Sequence, residues 1–227
     1  MKLKLKPTLA LLLALVLLLT AAVPAFAADV LPSGAVLVTE SDTIKADDFT
    51  IIAHRGLSAC APENTLAAFK LAGRSGCDGC EIDVQPTLEE AVAVCQLYGM
   101  KVVLTVRNGV VDQIDSLIAT MKVLGVMKTA TVISANHDIL KKIQQNGGRA
   151  VYNATPLITI GAINTAQENG YVGLSTSTVL PGATLMNRVM DSKLELYPFD
   201  VDSLLKAEHM YNAGVKTVIS DCLVKHA

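Results

Sequence analysis

Two carboxylates spaced two residues apart, Glu81 and Asp83, follow a His54-Arg55 pair within one stretch, Ile51 to Val84, that reads IIAHRGLSACAPENTLAAFKLAGRSGCDGCEIDV. Side chains alternate along a strand, so Glu81 and Asp83 point to one face. That spacing suits two oxygen ligands of one hard divalent cation. Arg55 offers a forked donor for an oxyanion, and His54 is a side chain able to move a proton near neutral pH. A plain apolar core does not account for the group, because an arginine beside a histidine and two carboxylates is more charge than a core buries without purpose.

For these groups to meet, an apolar run, Thr50 to Ala53, must deliver His54-Arg55-Gly56 at its end. A turn then leads through Pro62-Glu63-Asn64-Thr65 to a helix, and a second strand beside the first presents Glu81 and Asp83. The alternation of strand-length apolar runs with amphipathic stretches continues down the chain. Strands are predicted at Thr50 to Ala53, Gly79 to Val84, Lys101 to Val106, Thr129 to Ser134, Arg149 to Asn153, Tyr171 to Ser175, Leu194 to Tyr197 and Lys216 to Ser220. Helices are predicted between them, among others at Thr65 to Arg74, Leu88 to Leu97, Val111 to Leu124, Asp138 to Gln145 and Ser203 to Ala213. Glycines at the helix ends (Gly76, Gly99, Gly125, Gly147, Gly170, Gly214) mark stops before returning strands. Eight such units give an α/β fold, a parallel sheet closed as a (β/α)8 TIM barrel, with an open doubly wound sheet as the alternative. At about 180 residues the barrel is smaller than the ~250 usual for the fold, so its loops must be short.

The ordered motifs His54-Arg55-Gly56, Pro62-Glu63-Asn64-Thr65 and Glu81-x-Asp83 resemble the glycerophosphodiester phosphodiesterase family. The resemblance favours the closed barrel. It implies His54 as a catalytic base, Arg55 and Arg107 as phosphate-binding residues, Glu81 and Asp83 as metal ligands, and Glu63 and Asn64 in support. It also implies Ca or Mg as cofactor and a small glycerophosphodiester, or phosphate, as ligand. Two departures stand out. In the family a second histidine lies on a segment between the Glu-x-Asp strand and a Pro-Thr-Leu-Glu-Glu helix, yet here Val84-Gln85 runs straight into Pro86-Thr87-Leu88-Glu89-Glu90. The barrel is thus shortened after its second strand, as it is at its C-terminus. Where the family has a third metal carboxylate and a lysine, this chain has Thr105 and Arg107. A cation held by two carboxylates instead of three is expected to bind weakly or not at all. His137-Asp138 opens a helix capped by Asn136 or Asp138 and is not the missing pair, while His209 belongs to an outer helix face. His226, beyond the last strand, is the remaining candidate for a substitute acid.

Residues 1–27 read as a signal peptide: Lys2, Lys4 and Lys6, an apolar run from about Leu9, and a small-x-small end at Ala25-Phe26-Ala27. Residues 28–48 form a lead-in with a possible extra strand at Val36-Leu37-Val38 over the bottom of the fold, and residues 49–227 form the barrel domain. Export is expected, with membrane contact only through an uncleaved leader. Without the leader the chain carries 16 basic against 21 acidic residues, near −5, which speaks against nucleic acid as a partner. Five cysteines are an odd number for an exported chain, so at least one stays unpaired or pairs between chains. Cys77-x-x-Cys80 has no second ligand pair and is not read as a zinc site. The expected function is metal-dependent hydrolysis of lipid-derived glycerophosphodiesters, weak or lost. The alternative is an inactive barrel that binds a phosphodiester, phosphate or a partner.

Overall fold

The computed structural model describes residues 31–38, 44–84, 88–107, 112–177 and 182–225. The leader read from residues 1–27, and His226, lie outside them. Eight strands form one parallel sheet: β2 (Thr50–His54), β3 (Gly79–Asp83), β4 (Lys101–Thr105), β5 (Thr131–Ser134), β6 (Arg149–Asn153), β7 (Gly173–Thr176), β8 (Glu195–Pro198) and β9 (Thr217–Ser220). Each of the first seven is followed by a helix: α1 (Leu66–Arg74), α2 (Leu88–Leu97), α3 (Ile114–Val123), α4 (His137–Gln145), α5 (Ile160–Glu168), α6 (Ala183–Asp191) and α7 (Leu204–Asn212). Hydrogen-bonded neighbours run in the order β8-β7-β6-β5-β4-β3-β2-β9, so every strand but the last pair lies beside its sequence neighbour. An open doubly wound sheet would place early strands in the middle and reverse direction there. Here the two ends of the order, β8 and β9, lie side by side, and just past β8 the Val201 amide donates to the Ile219 carbonyl at 3.2 Å. The ring is a nearly closed TIM barrel.

Alternation along the strands explains the filling of the ring. Ile52, Val103, Ile133, Val151, Tyr197 and Ile219 pack together as one buried cluster, while the intervening Ile51, Ala53, Val132, Leu174 and Val218 are fully buried beneath the helices. Gly79 has to be small: a Cβ there would stand 2.7 Å from Ile52 Cδ1 and 2.6 Å from the Lys101 carbonyl. At the N-terminal end of the strands, Arg149 pairs with Glu195 at 2.6 Å and Tyr197 donates its hydroxyl to Glu195, so the charges at that end satisfy one another.

After β9 the described chain forms no eighth helix. A short strand, β10 (Leu223–Val224), pairs in parallel with β1 (Val36–Leu37). Asp221 is at the His54 end of the barrel. Four residues later Lys225 reaches the opposite end, where its ammonium sits 2.8 Å from Asp78 and its amide donates to the Ser75 carbonyl. The ribbon therefore descends outside the ring and buries Val38, Leu223 and Val224. The lead-in run at Val36-Leu37-Val38 covers the side of the barrel, where a helix would lie, rather than its bottom. Residues 84–87 join β3 to α2.

All five cysteines are free thiols. Cys77 Sγ donates to the Leu223 carbonyl at 3.6 Å, whereas Cys80 packs against Met100 Sδ at 3.7 Å. Burial, foremost, pushes the Cys77 thiol up to about 12, which is the setting of an inert core residue.

Candidate active site

The last residue of β2 projects into the mouth of the barrel. Asp221 Oδ1, one residue past β9, lies 2.8 Å from His54 Nδ1 and also accepts from Ser58 Oγ at 2.7 Å. The Asp221 amide in turn donates to Asp202 Oδ1 at 2.8 Å, which fixes the loop that carries the carboxylate. With Nδ1 held by a carboxylate, the neutral ring keeps its proton there and leaves the Nε2 lone pair for chemistry. Burial alone would push the imidazole pKa down. The hydrogen bond to Asp221 and the charges of Glu81 and Asp221 outweigh it, and the pKa rises above 6.5. Asp221 moves the other way, below 3.8, chiefly through the same hydrogen bond.

Arg55 turns the chain out of β2 in a left-handed conformation, φ 54°, which costs an ordinary residue stability and is kept where the surroundings demand it. The turn aims the Arg55 amide at Glu81 Oε2 (3.1 Å), and the Arg55 carbonyl accepts from the Asn64 amide at 2.7 Å. Gly56 follows at φ 80°, so close to α1 that a Cβ would stand 2.6 Å from Ala68. Thr65 caps α1 by accepting from the Ala68 amide.

Glu81 is almost wholly buried at the centre of the site. Burial, foremost, raises its pKa, opposed by the His54 charge and by hydrogen bonds from the Thr105 hydroxyl and the Arg55 amide. Asp83 Oδ2 takes both arginines, Arg55 Nε at 3.2 Å and Arg107 Nη2 at 3.0 Å. Arg55 is held from its other side by Glu63 at 2.7 Å, and Asn64 Nδ2 donates to the Asp83 carbonyl at 3.3 Å. The pocket above these groups measures about 360 Å³, and Asn153, Ser175, Phe199 and Asp200 line its far wall.

His54, Arg55, Glu63, Asn64, Glu81, Asp83 and Arg107 thus lie together at the C-terminal ends of β2, β3 and β4, where barrel enzymes build their sites. His137 lies outside the ring, stacked on Tyr171, with Asn136 capping its helix. His209 is exposed on α7. His226 lies outside the described residues; Lys225 before it pairs with Asp78 at the other end of the barrel. Sequence reasoning did not pick out Asp221, Ser58 or Asp202. The available signal was position: Asp221 directly follows a predicted barrel strand.

The donor set does not fit a firmly held divalent cation. Such an ion takes six or more oxygens, and among the described residues no three His, Cys, Asp or Glu side chains are grouped to hold one. The two central carboxylates are already engaged, Asp83 by two guanidiniums and Glu81 by Thr105 and the Arg55 amide.

Residues 54–96 match the model of the glycerophosphoryl diester phosphodiesterase family. The chain is 48% identical over 50 residues to the probable glycerophosphodiester phosphodiesterase 1 of Mycobacterium tuberculosis, a match covering 22% of this chain and 18% of that protein. It is 54% identical over 44 residues to a glycerophosphodiester phosphodiesterase of Caldanaerobacter subterraneus, covering 19% and 18%. The matched stretch thus spans about a fifth of the length of these relatives. The barrel as a whole is similar to that of a phosphodiesterase of Oleispira antarctica solved with its product sn-glycerol-3-phosphate. The TM-score is 0.68 at 21% identity, over 76% of this chain and 92% of that one.

Proposed function

We propose, on the premise that this chain belongs to the glycerophosphoryl diester phosphodiesterase family, that its pocket binds a glycerophosphodiester and hydrolyses it slowly to sn-glycerol 3-phosphate and an alcohol. The observation that carries this reading is the arrangement of His54, its Nδ1 tied to Asp221, in the same pocket as Arg55 and Arg107. The guanidiniums would hold the non-bridging phosphate oxygens. Nε2 of His54 would take the proton of the attacking water, the new P–O bond would form, and the bond to the leaving alcohol would break. A second proton is then needed on the departing alkoxide. Among the described residues no second histidine lines the pocket, and a positioned acid is worth ~10² to 10⁴ in rate. Slow turnover follows. No step is routed through a metal, because the carboxylates that would hold it are engaged elsewhere. The leader read in residues 1–27 supports action outside the cytoplasm.

The lack of a second histidine in the pocket among the described residues favours a second reading, a barrel that binds the phosphodiester without cleaving it. Release of sn-glycerol 3-phosphate from glycerophosphocholine separates the two. Slow release that falls by about 10² or more in His54→Ala supports the hydrolase. No release at all leaves the binding barrel, and release unaffected by His54→Ala overturns the role given to His54.

A further inference from the structure

We infer that Arg55 and Arg107 supply at Asp83 the positive charge a divalent cation would bring, so that this pocket takes phosphate ligands without a metal ion. The inference rests on the proposed phosphodiester reading and specifies what charge does the binding.

The geometry argues it residue by residue. Asp83 Oδ2 lies 3.0 Å from Arg107 Nη2 and 3.2 Å from Arg55 Nε, and its side chain is only 13% exposed. A cation entering here would have to displace two guanidiniums from a largely desolvated carboxylate. The gain would be a few ligands: Glu81, Asp83 and the Thr105 hydroxyl, short of the six or more oxygens that Mg²⁺ or Ca²⁺ requires. Glu81 is not idle either, since its oxygens accept from the Arg55 amide and from Thr105. Arg55 is braced between Glu63 and Asp83, so its position is set before any ligand arrives. Arg107 touches Asp83 through one terminal nitrogen while its side chain stays 68% exposed, which leaves further N–H donors open to the pocket mouth. One carboxylate thereby holds two planar forks beside one cavity, and planar forks match the oxygens of a phosphate.

Calorimetric titration of the full chain tests this with sn-glycerol 3-phosphate and, in a separate arm, inorganic phosphate, each in EDTA and in excess Mg²⁺ or Ca²⁺. The expected result is the same Kd within about twofold with and without the cation, and a loss of about tenfold or more in Arg107→Ala. The exposed Arg107 side chain makes that variant a safe one to fold, and an unchanged melting temperature verifies it. A tighter Kd for the glycerol ester than for phosphate shows that the pocket reads the ester; equal values show that the oxyanion alone is read, and either agrees with the inference. Binding that appears only with a cation, or an Arg107→Ala variant that binds as well as the parent, overturns the inference and leaves the hydrolase reading standing. Binding of neither ligand under any condition overturns the phosphodiester reading itself. Thr105→Glu supplies the complementary arm: a third carboxylate beside Glu81 and Asp83 should make a cation-binding site measurable by direct metal titration, where the parent shows none.

Discussion

His54 is pulled in two directions, downward by burial and upward by Asp221 and Glu81. Asp221→Asn removes much of the upward pull, so the ring pKa should fall below 6.5; the midpoint of the imidazole C–H shift against pH in an NMR titration reports it. The same pair sets a window of stability. A histidine whose folded pKa is raised contributes fully below 6.5 and loses that contribution as pH rises through the raised value. An aspartate whose folded pKa is lowered contributes above 3.8 and loses it as pH falls through the lowered value. The difference in thermal midpoint between parent and Asp221→Asn should therefore be widest between pH 3.8 and 6.5 and narrow on both sides. A uniform difference across pH would mean that the substitution acts through packing. His54, Arg55, Glu81 and Asp83 were legible in the sequence because they lie within one local unit. Asp221 was not, since it meets His54 across 167 residues and no local pattern links them.

At the level of elements, the loop after β2 rests on one glycine. Gly56→Ala meets both a left-handed backbone and a Cβ 2.6 Å from Ala68, whereas Gly125→Ala, at φ 73°, has nothing within 4 Å. The second should cost about 1 to 2 kcal/mol for the conformation alone. The first should cost clearly more and displace Arg55. Urea unfolding of the two variants side by side checks the order; equal losses would show that α1 yields. Strand positions could be read because apolar runs of fixed length fall between glycine stops. Helices α5 and α6 were harder to see: IGAINTAQE and ATLMNRVMD mix in glycine, asparagine and threonine. Their helicity comes from Thr159 capping α5 and from burial of Ile163, Ala166, Met186 and Val189 against the sheet. The run at Val36-Leu37-Val38 was visible as a strand, but its partner at Leu223–Val224 was not, because nothing nearby announces a pairing made across nearly the whole chain.

Taken whole, the described barrel is a ring whose outer wall carries the β1–β10 ribbon, with no eighth helix among the described residues. Leu223→Ala, at a fully buried position, should cost about 2 to 5 kcal/mol, read as a shift of the denaturant midpoint with unchanged slope. Deletion of residues 225–227 should lower stability through the lost Lys225–Asp78 pair while leaving the pH dependence of the pocket unaltered, since that pair sits at the far end of the barrel. A changed pH profile would bring the tail back to the active face. The ribbon has a further consequence in time. During synthesis β2 emerges early with one edge open, and the strand that covers that edge, β9, together with the partner of β1, comes some 165 residues or more later. Until Thr217 to Val224 leave the ribosome, the growing chain exposes two unpaired strand edges. Those are the surfaces on which neighbouring nascent chains would add to one another.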